Sequence, residues 1–511
     1  MLVIDCSQGG FNNNPNIDMI EPFQMASNSR NINIHNNYKQ PRGGTSKVNG
    51  TAVSGAPDIT AIIDYYVSGQ TQYIVFATSD GKIYKNSVDT IKTGLSTAAN
   101  TFPCFTVYRN ILYFNNGVDI TQIWDGTTQS ELAAGSRPSA WTTNPPIQMA
   151  VHGKGLAERM WAVNKTNYLY ASTLGGTDFD DAAAPILYID SSVSQGGLVG
   201  CIEWRDSLWA FSKDRFVVID DSDASIANWG YEPAPWNIGA ASWRLVAKTD
   251  NDLLAMTDYG DIYSVGAAIQ TGDFEAASIV RPFYIDRWIR DNIDLSKIEQ
   301  FHCVQDKTLR SVNFFMVGNG SASSQCNICL PWFYDKKAWG APRVNASYNS
   351  GYSAVCSASV QKSVGVKKIY TGDYSGFVWE LETSNINDDS NAYPKIYEFP
   401  YSAQGNPVMT KMYDQLRAVT EPEGNFDLDI QITVDTMPLA SQELSLAGTG
   451  AVLGDFTLDT DVLGGDSLID GTIPIGVTGK RIKGSISNTA VNEDFRISAL
   501  LILYQELGVQ P

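Results

Sequence analysis

The sequence predicts an all-β protein: a β-propeller of about seven blades followed by a C-terminal β-sandwich. Three observations lead there. A strand–turn–strand unit recurs seven times, few windows place apolar residues at helical spacing, and the pattern changes to plain alternation near the end of the chain. The composition agrees, because a mixture rich in Gly, Asn, Thr, Tyr and Trp with only 18% charged residues favours short strands and turns. At 511 residues the chain exceeds one ordinary core, so a large repeat-built domain with an appendage is expected.

Residues 1–50, with FNNNPN and NSRNINIHNNYKQPRGGTSKVNG, hold too much Asn and Gly for a packed helix and read as an extended arm feeding a first strand. Residues 51–400 carry the repeats. They are YIVFATSDGKIYKN from Tyr73, NILYFNNGVDITQIWDG from Asn110, RMWAVNKTNYLYAS from Arg159, SLWAFSKDRFVVIDD from Ser207 and DLLAMTDYGDIYSV from Asp252. A longer unit joins SVNFFMVGNG from Ser311 to CNICLPWFYDKKAWG from Cys326, and KKIYTGDYSGFVWEL from Lys367 is the last. In each, alternating β-branched and aromatic residues flank a tight polar turn, so every second side chain faces a core. Ser79-Asp80-Gly81 supplies the left-handed position that Gly takes cheaply, and Tyr259-Gly260-Asp261 and residues 373–376 repeat the device. Units start roughly 40 to 60 residues apart, the spacing of propeller blades with loop insertions. A pair of stacked β-sandwiches is the competing architecture, but it needs only a set of dissimilar strands, whereas these hairpins resemble one another. Short helices are predicted over residues 177–184 and 284–297.

After about residue 400 the chain reads KMYDQLRAVT, FDLDIQITVD, KRIKGSISN and FRISALLILYQELG, period-2 strands without the blade turn. Residues 401–511 are therefore predicted to form the sandwich. Within it, residues 438–479 are rich in Gly, Leu, Thr and Asp and predict a long exposed loop suited to contacting a neighbour.

A net charge of −19 argues against a phosphate-binding surface as the main function, since nucleic-acid affinity needs clustered Lys and Arg. An acidic wall would instead let DNA slide past without binding minima. MLVIDCSQGGFNNNPN lacks the basic flank and apolar core of a signal peptide, and no apolar run approaches the roughly 20 residues of a membrane span. Assembly in the cytoplasm is expected, with the seven cysteines as scattered reduced core thiols.

The chemistry of an enzyme is not assembled in the sequence. Only His35, His152 and His302 could serve as general bases of that type, and no G-x-S-x-G turn offers a nucleophile. Cys326 and Cys329 have metal or redox spacing but lack a second pair, and strand alternation sends them to opposite faces as core residues. Asp455, Asp459, Asp461, Asp466 and Asp470 lack the closing Glu of a calcium loop and read as a solvated loop. The Asp-rich turns superficially resemble sialidase Asp-boxes, but the arginines such a site needs, with candidates Arg205, Arg215, Arg281, Arg287 and Arg290, show no telling spacing. His152-Gly-Lys-Gly and Pro41-Arg42-Gly43-Gly44 lack the strand-to-helix context of phosphate loops and read as turns. No catalytic, cofactor-binding or metal-binding residue is assigned, and the chain is not read as an enzyme.

Three stretches carry a family resemblance. SRNINIHNNYKQPRGGTSKVNG resembles the opening segment of phage virion proteins, an Asn-containing strand followed by a basic, Gly-rich turn. LVGCIEWRDSLWAFSKDRFVVID is similar to the central blade of the packaged-DNA stabilisation or tail nozzle (tail hub) proteins of short-tailed bacteriophages, matched by Trp204, Arg205, Asp206 and Ser212. The run from RPFYIDRWIRDNIDLSKIEQFHCVQDKTLRSVNFFMVGNG through LPWFYDKKAWG to IYTGDYSGFVWELE looks like that family's succession of short helix, hairpin and Gly-Asp blade. The resemblance implies a virion protein of the phage tail, assembled in the host cytoplasm as a homo-oligomeric, hexameric ring below the portal and adaptor. Its channel would retain packaged DNA and conduct it during ejection without sequence-specific binding. Two other readings stay open: a propeller glycan hydrolase or depolymerase of a phage tail, and a cytoplasmic propeller scaffold that binds protein partners.

Overall fold

The computed structural model describes the chain apart from residues 17–18, 68–71, 87–88, 154–157, 182, 195, 224, 321–323, 346–350, 404–405, 422–425, 447–468 and 509–511. Among the described residues the strands form nine sheets, and seven of these follow one another along the chain as antiparallel meanders. The first is Ile59–Tyr66, Gln72–Thr78, Lys82–Lys85 and Asp89–Lys92; the second is Cys104–Tyr108, Ile111–Asn115, Gln122–Trp124 and Gln129–Glu131. The third is Gln148–His152, Arg159–Val163, Tyr168–Ala171 and Ile186–Tyr188; the fourth is Gly200–Trp204, Ser207–Phe211, Phe216–Asp220 and Gly230–Pro233. Val246–Lys248, Leu253–Met256 and Ile262–Ser264 make the fifth. His302–Asp306, Ser311–Met316 and Ile328–Phe333, with the short Ala338–Trp339 and Arg343–Val344, make the sixth, and Cys356–Ser363, Val366–Gly372 and Val378–Thr383 begin the seventh.

Each hairpin read from the sequence lies in a different one of these sheets. The turns form for local reasons. Gly81 sits at φ +76, and a side chain there would place Cβ 2.2 Å from the Leu95 carbonyl oxygen. In the last unit Asp373 closes its turn by accepting the backbone N–H groups of Ser375 and Phe377, each at 2.8 Å, and the indole N–H of Trp379 at 2.9 Å.

A small meander cannot bury both faces alone, so each packs against the next. Ala61 and Val75 of the first sheet meet Leu112 and Trp124 of the second. Tyr108 and Tyr113 meet Met160 and Tyr170, and Trp161 and Leu169 meet Leu208 and Val217. Trp209 and Phe216 meet Leu253 and Tyr263, while Leu254 and Ile262 share a larger core with Val312 and Phe314. Tyr370 and Val378 of the seventh sheet return to Ile59 and Phe76 of the first. Successive packing that closes on itself, with the first strand of each sheet innermost, is the architecture of a β-propeller.

The N-terminal segment departs from the expected extended arm. Gly44–Lys47 supplies the outer strand of the seventh sheet, pairing Thr45 with Leu381 and Lys47 with Trp379. Leu2–Asp5 pairs with Ile497–Gly508 at the other end of the chain, and the hairpin of Ile32–Ile34 and Lys39–Pro41 joins the same sheet. The reason is burial: Ile4, Phe11, Met25 and Ile32 are all fully enclosed, and unpaired strand edges beside them would leave backbone groups without partners.

Two more sheets form the C-terminal unit. One combines the N-terminal strands with Ile497–Gly508, Thr410–Thr420 and Ile469–Gly479; the other holds Lys395–Ser402, Ile482–Asn488, Asp427–Val434, Met437–Pro438 and Gln442–Ser445. Their alternating apolar faces, Leu416, Ala418, Leu500 and Ile502 on one and Ile430, Ile432, Ile482 and Ile486 on the other, share one core. The unit starts at Lys395, a few residues before the expected boundary. The predicted loop 438–479 is corrected at both ends: Gln442–Ser445 pairs with Asp427–Val434, and Ile469–Gly479 pairs with Thr410–Thr420. Its centre, with Asp455, Asp459, Asp461 and Asp466, lies outside the described residues.

The helices also differ. The described part of 177–184 holds no helix; Asp178 and Asp181 instead accept the N–H groups of Asp180 and Ala183, and Phe179 packs on Trp141. The range 284–297 splits into an α-helix, Ile285–Asn292, and a 3-10 segment, Leu295–Gln300. An unpredicted helix, Val265–Thr271, is capped by Ser264 and ends at Gly272 with φ +66.

Candidate functional site: the axial basin and the polar joint

The loops that lead into the innermost strands surround a basin at one end of the propeller axis. Its floor is set by Trp243–Leu245, a 3-10 turn just before the fifth sheet, which directs Arg244 inward beneath Phe102. A cavity of about 530 Å³ opens above Arg244, and a second of about 130 Å³ lies behind it among the innermost strands. Trp243 and Arg244 line both.

Arg244 is 7% exposed. Its Nη1 donates to the carbonyl oxygens of Glu299 and Gln300 at 3.4 Å, Nη2 donates to that of Val355, and the guanidinium lies 3.8 Å from the Phe102 ring centre. Burial pulls its pKa down, offset in part by the thiols and phenol around it. His302 lies on the inner cavity with neither ring nitrogen hydrogen-bonded among the described residues, its ring edge-on to Phe315. Burial, then the Arg244 charge, holds its imidazole well below the ordinary range, so it is neutral. The buried hydroxyl of Ser357 in the same cavity also has no partner among the described residues.

Three thiols line this cavity, and burial pushes Cys104 up to about 11 and Cys303 and Cys356 up to about 12. They are protonated and poor nucleophiles at neutral pH. Cys326 and Cys329 are buried, free and each pushed up to about 12, the state of core thiols. No group of three or more His, Cys, Asp or Glu is placed to hold a metal ion among the described residues.

The other singled-out residues do not converge. His152 approaches Asp221 at 3.4 Å, and its Nδ1 has no partner among the described residues; His35 stacks on Tyr38. Arg205 covers Trp204 and Arg215 belongs to the Ser212 turn. Arg281 pairs with Asp261 and Glu275, while Arg287 and Arg290 pair with Asp291 and Asp286 along their helix.

A second polar cluster sits where the N-terminal segment, the sixth and seventh sheets and the C-terminal unit meet. Arg42, fully buried, forks onto Asp388 with contacts of 2.9 and 2.7 Å and lies between the rings of Tyr393 and Tyr352. Burial would lower its pKa, but Asp388 and the two phenols raise it further, so the charge is secure. Beside it Arg343 meets Glu382 at 3.2 Å and donates to Asn33 at 2.8 Å and Asn313 at 3.2 Å. Pro41-Arg42-Gly43-Gly44 thus works as an anchor: a Cβ on Gly44 would fall 1.9 Å from the Asn387 carbonyl oxygen.

Sequence reasoning missed Arg244, Ser357 and the Arg42–Asp388 pair. The signal for Arg244 was a lone cation in the apolar run Trp243 to Ala247; Asp388 gave none, being 346 residues from its partner.

No protein-family model matches the chain, and no curated protein matches it in sequence. Among solved structures, BBS1N in complex with ARL6DN is similar with a TM-score of 0.41 and 8% identity, over 68% of this chain and 97% of that one. YCF48 from Cyanidioschyzon merolae gives 0.38 and 12%, over 66% of this chain and 99% of that one. The computationally designed Ika8 protein gives 0.35 and 9%, over 65% and 98%. These likenesses are too weak to carry an argument, and the fold rests on the sheets themselves.

Proposed function

We propose that this chain is a structural virion protein of a bacteriophage tail, a nozzle or hub subunit. Here a seven-bladed propeller and a C-terminal β-sandwich act as one rigid block. Copies associate head to tail as a homo-oligomeric ring, six-fold by the family resemblance, and meet the portal, adaptor and other tail proteins. The ring forms a channel that retains packaged DNA and conducts it during ejection.

The observation that carries this reading is the polar joint. Strands from the first fifty residues complete the seventh sheet and also pair with the last strand of the chain, so both units are tied together by Arg42, Asp388, Arg343 and Glu382. A conduit under DNA pressure needs such a block. The net charge of −19 suits a wall that DNA passes without adhering. The edge of Ile469–Gly479, which pairs as a strand only with Thr410–Thr420 among the described residues, is suited to subunit contact.

Mass measurement of the purified protein, alone and with its adaptor, tests the proposal. Rings in either condition support it; a monomer in both overturns it.

A further inference from the structure

Four arginines are buried in this protein's cores in different company, and one of them, Arg159, donates to the carbonyl oxygens of Ser172 and Ala183 within reach of the Asp221 charge. Arg42 faces Asp388 and Arg343 faces Glu382. Arg244, buried to a similar degree, has no carboxylate within ion-pair distance among the described residues; its donors reach only backbone carbonyls. A buried cation without a counter-charge is costly, so an unmatched one that also borders open space marks a place for an anion.

The surroundings point the same way. Lys165 and Lys213, both exposed, line the outer basin with Arg244, against a single carboxylate, Glu299. In a chain of net charge −19 this is a local reversal of sign, and it sits at the mouth of a concave, low-dielectric space that focuses the field. Behind Arg244 the inner cavity presents the imidazole of His302, which is 3% exposed, and the hydroxyl of Ser357, neither with a hydrogen-bond partner among the described residues. A guanidinium, a neutral ring N–H and a hydroxyl together make a donor set for oxygen atoms bearing negative charge. The inner cavity, about 130 Å³, has room for one carboxylate or phosphate group, and the outer basin, about 530 Å³, for the rest of a small molecule.

We infer that the axial basin binds a small oxyanion-bearing molecule, a polycarboxylate or phosphomonoester, with its charged end on Arg244, His302 and Ser357 and with Lys165 and Lys213 drawing it in. This site belongs to each subunit and does not depend on ring formation.

Calorimetric titration of the full chain with citrate and with inorganic phosphate tests it, alongside imidazole NMR, where His35, His152 and His302 can be followed separately. Saturable binding of one anion per chain is expected, with the His302 signal moving while His35 and His152 stay in place. Arg244→Met should weaken binding roughly tenfold or more, and the exposed pair Lys165→Ala with Lys213→Ala about threefold, with salt sensitivity lost in proportion. Replacing an unpaired buried guanidinium by an apolar side chain is tolerated by the fold; the surface variants and the His302 signal decide the matter should Arg244→Met misfold. Absence of saturable binding by either anion at millimolar concentration overturns the inference. So does binding that these substitutions leave unchanged, or that moves all three histidines alike.

Discussion

Asp388→Asn removes one charge from the polar joint and almost nothing from its shape. Asp388 is 1% exposed and gives both carboxylate oxygens to Arg42, while Thr45 also donates to it at 3.3 Å. The amide can still accept one bond from the guanidinium, but its NH2 must then face a donor, and Arg42 is left buried without a counter-charge. Breaking a buried pair in this way costs about 3–5 kcal/mol. For a chain of 511 residues melting as one unit, an unfolding entropy of about 2.1 cal/mol/K per residue sums to about 1.1 kcal/mol/K. The expected fall in melting temperature is therefore only about 3–5 °C, read by scanning calorimetry. The double substitution Arg42→Met with Asp388→Leu leaves no charge behind and should recover most of that loss. A single variant that melts within about 1 °C of the parent, or a double variant no more stable than the single, would refute the assignment of the joint as a charge-dependent anchor.

Acid should destabilise the protein partly through His302. Its folded imidazole is held well below 6.5, so beneath that pH the unfolded chain binds a proton that the folded chain refuses. Stability is then lost as pH falls through the unfolded value, by up to about 1.4 kcal/mol per unit, and His302→Leu should lose less between about pH 7 and about pH 5 in urea unfolding. Equal pH dependence in both proteins would contradict this. Gly44→Ala should strain the ring closure, because its Cβ would fall 1.9 Å from one backbone oxygen and 2.4 Å from another. A cost of about 1–3 kcal/mol is expected, with faster amide exchange concentrated in Gly44–Lys47 and Val378–Thr383; exchange spread evenly over all sheets would argue otherwise.

The hairpins were legible because their information is local. The β-branched and aromatic run of Gln72–Thr78 and a glycine at the left-handed position of its turn lie within a few residues of each other. The innermost strands were harder to read. Cys104–Tyr108 mixes buried and exposed positions, and Val246–Lys248 is only three residues long. Residues 469–479 passed for loop because Gly471, Pro474 and Gly476 weaken a strand signal, yet Pro474 sits where the ladder with Thr410–Thr420 shifts register, which tolerates a missing donor. Of the candidate site, the three histidines were visible as types, but nothing local distinguished His302 from His152.

The sequence by itself determined the hairpins of the repeats and the strand character of Thr410–Thr420, Asp427–Val434, Ile482–Asn488 and Ile497–Gly508, since period-2 patterning and turn chemistry act between near neighbours. Only the tertiary structure decided how the ring closes, that the first strand pairs with the last, and that Arg42 meets Asp388 while Arg244 meets no carboxylate among the described residues. Those outcomes depend on which groups are brought together across hundreds of residues and which are sealed from water, and a charge acquires its cost or its partner only once that burial is complete.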